Sequence, residues 1–327
     1  MNLTFDKKCH LWIGDNGTKD DKWFENFIVG SIYVSTSLIF ISIYVLCLTI
    51  IYKDKSLLKL AFYKIAFNMG LAEIGQLLFN GLFFGLGICA GEMIVSFRVQ
   101  KLFSGLLGTC WFAYIFLAHA LAVNRVVTLF SPRLGQSWFS EKVTHYLIIA
   151  AWLHSFVWLV VYVHSSVTLN YCLALYSMHY GDSQADSGAK SVNLVVVMVH
   201  AVSIVICYLI ISFRFKNMRN DFSYYFARRN DTIEWKICLQ AIILCVLILG
   251  TIVGFFVDQD FMISRWFSFA SNMIWLLCAG GNAIVYLTLN STLQSKIAEF
   301  IKEERPTQEY DVQQIHIDER IYRSISS

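Results

Sequence analysis

This 327-residue sequence contains long apolar stretches that few polar side chains interrupt. Those polar side chains are the first candidates for functional residues. Glu73, Gln76 and Asn80 follow one another at intervals of three and four residues, so in a helix they share one face. Glu73 is the only acidic residue well inside such a stretch, where an ionisable group costs on the order of 3 kcal/mol. Its carboxyl group must therefore be hydrogen-bonded or protonated.

A second stripe has 4-3-4 spacing and would share one face of another helix: Trp275, Ala279, Asn282 and Tyr286. Asn282 is the partner that we expect for Glu73. One interpretation is a polar network that repacks between two states. The alternative is that these side chains hold two helices together through hydrogen bonds worth about 1 kcal/mol each.

Metal and cofactor chemistry finds little support in the sequence. Five histidines lie in or near the apolar stretches: His119, His145, His154, His164 and His200. No two of them have the i, i+3 or i+4 spacing of metal ligands on one helix, and no CxxC motif occurs. Residues 266–289 contain no lysine for a retinal Schiff base. We expect core or pocket histidines, no metal and no cofactor, although histidines of different helices could still converge.

The elements that carry these residues are long apolar helices. Hydrophobic residues make up 57% of the chain and charged residues 15%, against about 45–50% and 25% in a globular domain. A bilayer crossing needs about 20 apolar helical residues. Seven stretches qualify: 27–52, 62–88, 102–124, 145–167, 192–213, 237–257 and 266–289. The sequence predicts an all-α bundle of seven transmembrane helices.

Basic residues predict the orientation of this bundle. With the N-terminus outside, the outer loops hold four Lys and Arg residues: Arg98, Lys101, Lys190 and Arg265. The inner loops then hold 13: Lys53, Lys55, Lys59, Lys64, Arg125, Arg133, Lys142, Arg214, Lys216, Arg219, Arg228, Arg229 and Lys236. Because such an excess marks the cytoplasmic side, the N-terminus is predicted outside and the C-terminus inside. The glycosylation sequons of Asn2 and Asn16 would face the lumen, and glycans on Asn230 or Asn290 would contradict this topology.

The predicted organisation has four parts. Residues 1–26 form a polar outer tail without a cleavable signal, and 27–290 form the transmembrane domain. Residues 291–304 form an amphipathic helix on the inner membrane surface, with its apolar side chains at i, i+4, i+7 and i+8. Residues 305–327 form a polar cytoplasmic tail that we expect to be disordered.

Three of nine cysteines fall on the oxidising side outside the spans: Cys9, Cys89 and Cys172. A disulfide between Cys89 and Cys172 would hold the second outer loop over the helix bundle. Cys9 is the competing partner, or else a free thiol.

Two motifs resemble signatures of rhodopsin-like G-protein-coupled receptors. Span 3 ends in Leu121-Ala122-Val123-Asn124-Arg125 and is followed by Pro132; span 7 ends in Asn282-Ala283-Ile284-Val285-Tyr286. Asn124 stands where the motif has an acidic residue, and Ala283 where it has proline. The first motif, together with Gly70-Leu71-Ala72-Glu73-Ile74, is similar to nematode serpentine chemoreceptors, and class T (Srt) of the Srg superfamily fits best.

The resemblance covers roughly residues 25–305 and implies a switch at Arg125. In relatives this arginine leaves its resting contact and turns toward the G protein when the helix of the sixth span moves outward. Asn124 has no negative charge and cannot form the usual ion pair with Arg125. This implies either that the receptor is activated more easily or that a different contact holds Arg125 in the resting state. Arg125 could instead be a basic anchor at the membrane surface. The implied activation residues are Asn124, Arg125, Glu73, Asn282 and Tyr286, and the implied G-protein contacts are Arg125, Arg133, Arg214, Lys216, Arg219, Arg228 and Arg229.

A ligand would enter from outside among helices 3, 5, 6 and 7. The candidate wall residues are Leu107, Trp111, His200, Phe255, Ser268, Ser271, Asn272 and Trp275. They are aromatic and mostly uncharged, so a small apolar odorant or a pheromone-like or lipid-like molecule fits better than a charged amine. The expected partners are this ligand, a heterotrimeric G protein and the lipid bilayer, without nucleic acid.

We therefore predict a non-enzymatic chemosensory receptor of the plasma membrane, and the resemblance implies cilia of sensory neurons. One alternative is a ligand-gated channel or transporter; insect-type odorant channels place the N-terminus inside, which the loop charges oppose. The other is an intramembrane hydrolase, which needs His or Asp ligands that converge around water.

Overall fold

The fold was determined as a computed structural model that describes residues 19–221 and 227–303. Side chains are described for residues 22–214, 239 and 242–300. Within these ranges, seven helices are long and apolar enough to cross a membrane, as the sequence predicts. They are α1 (Lys19–Lys53), α3 (Ala61–Ala90), α4 (Phe97–Phe130), α6 (Glu141–Val163), α7 (Gln184–Asp221), α8 (Ala227–Phe261) and α9 (Arg265–Leu289).

Three shorter helices connect or follow the spanning ones: α2 (Lys55–Leu58), α5 (Pro132–Trp138) and α10 (Ser291–Glu303). The ends of several helices are set by polar caps. Ser131 Oγ accepts from Leu134 N at 3.3 Å and precedes Pro132, whose missing N–H costs nothing at the first helical position. Ser264 Oγ caps α9 in the same way through Phe267 N at 3.1 Å.

Helix α3 is irregular at its centre. Residues Leu77–Phe83 form a π-helical segment that contains Asn80. Such wide turns usually occur where a helix serves a functional site. Glu73, Gln76 and Asn80 all remain buried across this change of helical geometry. The helix ends at Gly91, whose φ of 74° is readily adopted only by glycine.

A β-hairpin covers one end of the bundle, which we call the hairpin end. Strands β1 (Leu169–Cys172) and β2 (Ser177–Tyr180) pair antiparallel, with Leu169 opposite Tyr180. All eight strand residues are buried, so the hairpin packs against the helices. Tyr171 donates to the carbonyl oxygen of Phe79 in the π-helical segment at 3.0 Å. The hairpin is thus attached directly to α3.

Helix α10 packs at the opposite end, which we call the α10 end. Leu293 is fully buried, and Lys296 Nζ lies 3.3 Å from the Asp54 carboxylate. A hydrogen bond from Ser56 lowers the pKa of Asp54 to about 2, which keeps this partner ionised. Asn290 Oδ1 accepts from Leu293 N at 3.1 Å and from the Tyr63 hydroxyl at 3.2 Å. The sequon asparagine at 290 therefore serves as a helix cap.

The predicted disulfide between Cys89 and Cys172 is wrong. Cys172 is disulfide-bonded, whereas Cys89 is a free thiol. The sulfur of Cys89 lies 3.7 Å from the carbonyl oxygen of Phe27, because the side chain points toward α1. Gly30 makes room for it, since a Cβ atom there would lie 2.5 Å from that sulfur. Cys9, the competing partner, lies outside the described residues.

Candidate functional site

Side chains of α3 and α9 meet in three hydrogen-bonded pairs, which we call the polar ladder. The pairs are Glu73–Asn282, Gln76–Trp275 and Asn80–Asn272. Asn282 Nδ2 donates to Glu73 Oε1, Trp275 Nε1 donates to Gln76 Oε1 at 2.8 Å, and Asn80 Nδ2 donates to Asn272 Oδ1 at 2.8 Å. The structure thus places the two predicted polar faces against each other.

The polar ladder continues to the hairpin. Asn272 Nδ2 donates to the hydroxyl of Tyr33 at 3.0 Å, and that hydroxyl donates to the carbonyl oxygen of Tyr176 at 2.7 Å. Tyr176 connects the two strands in a left-handed conformation with φ of 55°, which is unfavourable for a bulky residue. Its own hydroxyl donates to Asn26 Oδ1 at 2.7 Å. Interactions at both ends of this tyrosine hold it in place.

The end of the polar ladder nearest α10 is incompletely bonded. Three buried atoms there have no hydrogen-bond partner among the described residues: Glu73 Oε2, Asn282 Oδ1 and the Tyr286 hydroxyl. An unpaired buried polar group costs about 1–3 kcal/mol. Asn80 Oδ1, in the pair nearer the hairpin, is also buried without a partner, so unpaired polar atoms occur along the whole ladder and are most numerous around Glu73.

Arg125 lies near the α10 end and stacks on an aromatic ring. Its guanidinium carbon is 4.2 Å from the centroid of the Phe62 ring in α3. No salt bridge between described residues includes Arg125, and its neighbour Asn124 is buried. A cation–π contact is worth about 0.5–2 kcal/mol, more when it is desolvated. This ring is the only cation–π partner of Arg125 among the described residues.

A narrow cavity of about 30 Å³ lies between α4, α6, α7, α8 and α9. Its walls are Leu107, Gly108, Trp111, Phe112, Tyr162, Leu169, Asn193, Thr251, Ile252, Phe255, Phe256 and Trp275. Four predicted wall residues are among them: Leu107, Trp111, Phe255 and Trp275. The other four, His200, Ser268, Ser271 and Asn272, do not line this cavity. Tyr162 and Asn193 were not predicted.

His200 belongs instead to a group of three histidines. Its Nδ1 atom lies 3.0 Å from Nδ1 of His119, and its ring centroid is 6.2 Å from that of His154. The three residues come from α7, α4 and α6, so histidines of different helices do converge. Among the described residues, no group of three or more His, Cys, Asp and Glu has a geometry that could hold a metal ion.

Ser268 forms a buried polar group with two residues that the sequence analysis missed. Its hydroxyl donates to Asp258 Oδ1 at 2.5 Å, and Asp258 Oδ2 lies 3.3 Å from His179 Nε2. Asp258 was missed because the predicted sixth span ended at residue 257, whereas α8 continues to Phe261. Ser271 packs against Gly254, where a Cβ atom would lie 2.8 Å from Oγ. Both serines therefore hold α8 close to α9.

Gln259 fastens α8 to the hairpin through two backbone hydrogen bonds. Its Oε1 accepts from Tyr180 N at 2.9 Å, and its Nε2 donates to the carbonyl oxygen of Met178 at 2.7 Å. The side chain thus bonds to β2 much as a neighbouring strand would. Movement of this end of α8 has to carry the hairpin with it or break these bonds.

Replacing Gln259 by leucine will destabilise the purified protein by about 1–3 kcal/mol, because a backbone donor and acceptor of β2 lose their partners. Thermal unfolding in detergent measures this loss, and faster hydrogen exchange in β2 locates it. Asp260→Asn is the control, since the Lys190–Asp260 pair is half-exposed and worth about 1 kcal/mol or less. Equal effects of the two substitutions would contradict the role of Gln259.

The remaining predicted contact residues are only partly described. Arg214 stacks on Phe130 at 5.5 Å, and Arg133 is exposed on α5. Four basic side chains fall outside the described part of the chain: Lys216, Arg219, Arg228 and Arg229. The sequon residues Asn2 and Asn16 also lie outside it.

Comparisons with known proteins agree with this architecture. The fold is similar to the crystal structure of squid rhodopsin, with a TM-score of 0.73, 14% sequence identity, and coverage of 89% of this chain and 88% of that chain. No curated protein sequence matches. The family model described as "Serpentine type 7TM GPCR chemoreceptor Srt" matches residues 4–310. Seven spanning helices, a rhodopsin-like fold and this match give one conclusion: the chain is a multi-pass membrane protein that belongs to the Srt family of G-protein-coupled chemoreceptors.

Proposed function

We propose that this chain is a chemosensory receptor of the plasma membrane that binds a small external ligand in the described cavity and activates a heterotrimeric G protein. The N-terminus and the hairpin end lie outside, and the α10 end faces the cytoplasm. The excess of 13 basic residues over four in the loops supports this orientation. The salt bridge between Lys64 and Glu141 and the contact of Lys296 with Asp54 lie at the proposed cytoplasmic end.

One observation carries the proposal: Trp275 belongs both to the cavity wall and to the polar ladder. Its ring is 5.4 Å from Trp111 and 5.6 Å from Phe255, which also line the cavity. Its indole nitrogen is bonded to Gln76. A ligand that displaces the ring would strain that bond, so the state of the cavity and the arrangement of α3 and α9 are coupled.

The proposed switch at the cytoplasmic end is Arg125. In the resting state it stacks on Phe62, and in the active state it leaves the ring to contact the G protein. The incompletely bonded end of the polar ladder, with Glu73, Asn282 and Tyr286, rearranges in the same step. Arg133 and Arg214 complete the proposed contact surface, together with Lys216 and Arg219 near the end of α7 and Arg228 and Arg229 near the start of α8.

Guanine-nucleotide exchange by a G protein reconstituted with the receptor tests this function. We expect a set of small uncharged odorants to include one that accelerates exchange, and Leu107→Trp to abolish that response by filling the cavity. Leu277→Trp is the matched control, because this leucine of α9 is exposed and does not line the cavity. A response that survives Leu107→Trp would place the ligand elsewhere, and exchange that never exceeds the rate without receptor would contradict the proposed function.

A further inference from the structure

Three polar side chains at the cavity contact one another in a closed triangle. None of the three was among the predicted site residues. The hydroxyls of Tyr162 and Tyr180 lie 2.7 Å apart, and Asn193 Nδ2 lies 3.2 Å from the first and 2.9 Å from the second. Asn193 is only 6% exposed. Tyr162 and Asn193 line the cavity, whereas Tyr180 lies behind them in β2.

Counting hydrogens fixes how the amide of Asn193 is oriented. Each of the three contacts needs one hydrogen between its two atoms. The amide nitrogen supplies two, and one tyrosine supplies the third by donating to the other. With the amide reversed, both tyrosines would donate to Oδ1, and their own 2.7 Å contact would hold no hydrogen. Burial raises the pKa of Tyr180 to about 12, so its hydroxyl keeps its proton at neutral pH.

This arrangement leaves one acceptor and one hydrogen unused. Oδ1 of Asn193 is buried and has no partner among the described residues. One of the two phenolic hydrogens is also left over, since the triangle uses only one of them. The other polar groups of the cavity wall are occupied: Trp275 Nε1 donates to Gln76, and Thr251 Oγ1 donates to the carbonyl oxygen of Leu247 at 2.8 Å.

Charge restricts the ligand further. None of the twelve described residues that line the cavity has a charged side chain. An ionised ligand group would lose its hydration there without gaining a counter-ion, which is strongly unfavourable. A neutral group that donates one hydrogen bond and accepts another would satisfy both unused positions. A hydroxyl group does this with a single oxygen atom.

We propose that the receptor selects neutral, largely apolar molecules that carry a hydroxyl group, and that Asn193 is its specificity-determining residue. The ligand hydroxyl donates to Asn193 Oδ1 and accepts the spare phenolic hydrogen, while the aromatic walls contact its apolar part. This inference rests on the proposed function, because it assigns the chemical class of the ligand for the same cavity.

Matched pairs of probes test the inference. The full-length receptor in phosphatidylcholine nanodiscs is titrated with 2-phenylethanol and longer phenylalkanols, and with their methyl ethers, while tryptophan fluorescence is recorded. The ether keeps the acceptor oxygen and has a methyl group in place of the donor hydrogen. We expect each alcohol that binds to do so about fivefold to tenfold more tightly than its ether, the value of one net hydrogen bond.

Two variants assign the preference to Asn193. Asn193→Leu should bring the ratio of the two dissociation constants close to one. Thr251→Val removes another hydroxyl of the cavity wall but leaves the triangle and Oδ1 unchanged, so it should retain the preference for alcohols. The comparison of alcohol with ether in the unaltered protein does not depend on either variant folding.

Three results would overturn the inference: equal affinities of alcohol and ether, a preference that persists in Asn193→Leu, or binding of neither compound. The proposed function is tested separately by basal nucleotide exchange without any ligand, which Arg125→Glu should abolish. Equal affinities of alcohol and ether for the unaltered receptor, together with intact basal exchange, would reject only the ligand class.

Discussion

Replacing Asn282 by leucine will destabilise the receptor by about 1–3 kcal/mol, because the buried carboxyl group of Glu73 loses its hydrogen-bond donor. Thermal unfolding of the purified protein in detergent measures the loss. The double variant Glu73→Leu/Asn282→Leu should be more stable than Asn282→Leu alone, since it removes both polar partners together. A double variant whose loss equals the sum of the two single losses would contradict this pairing.

Asn68→Leu is the control for this experiment. Asn68 Oδ1 accepts from Trp152 Nε1 at 3.2 Å, which is also a hydrogen bond between two spanning helices, but its loss leaves no carboxyl group without a donor. We expect a cost of about 1 kcal/mol. The difference between the two asparagines therefore isolates the contribution of the buried acid.

Replacing Phe62 by leucine will raise G-protein activation in the absence of ligand, because Arg125 loses the ring on which it rests. If the contact is worth about 0.5–2 kcal/mol, the population of the active state rises about twofold to thirtyfold. Basal guanine-nucleotide exchange measures this population. Arg125→Glu should have the opposite effect and abolish exchange, since the G protein loses its contact.

Phe67→Leu provides the matched control in the same helix. The ring of Phe67 stacks on Tyr52 at 6.2 Å and makes no cation–π contact with Arg125. We expect its basal exchange to equal that of the unaltered receptor. A similar rise in both variants would indicate a general loosening of α3, and an unchanged rate in Phe62→Leu would reject the ring as the resting contact.

The sequence predicts best those features that follow from helical spacing. The seven spans could be predicted because an apolar stretch of about 20 residues is typical of a helix that crosses a bilayer. The shared face of Glu73, Gln76 and Asn80 follows from intervals of three and four residues. The partner of Glu73 was also predictable, because Asn282 lies in the only comparable stripe. Two polar stripes in an apolar environment have strong physical reasons to face each other.

Features that depend on the rotation of a helix or on the position of a loop could not be predicted in the same way. Asn193 lies seven residues before His200 on the same face of α7, but this spacing does not show that its partner Tyr180 comes from the hairpin. His179 meets Asp258 only because β2 lies over the end of α8. Cys89 was assigned to the wrong partner because its place in the sequence does not show that its side chain points toward α1.

In the proposed switch, the contact between Arg125 and Phe62 determines the conditions under which the receptor stays inactive. Dissolved salt weakens an exposed ion pair between an arginine and a carboxylate, and acid neutralises its carboxylate. An aromatic ring has neither a net charge to be screened nor a proton to gain. The resting state of this receptor should therefore tolerate changes in the ionic strength and acidity of the cytoplasm that would activate a receptor restrained by such an ion pair.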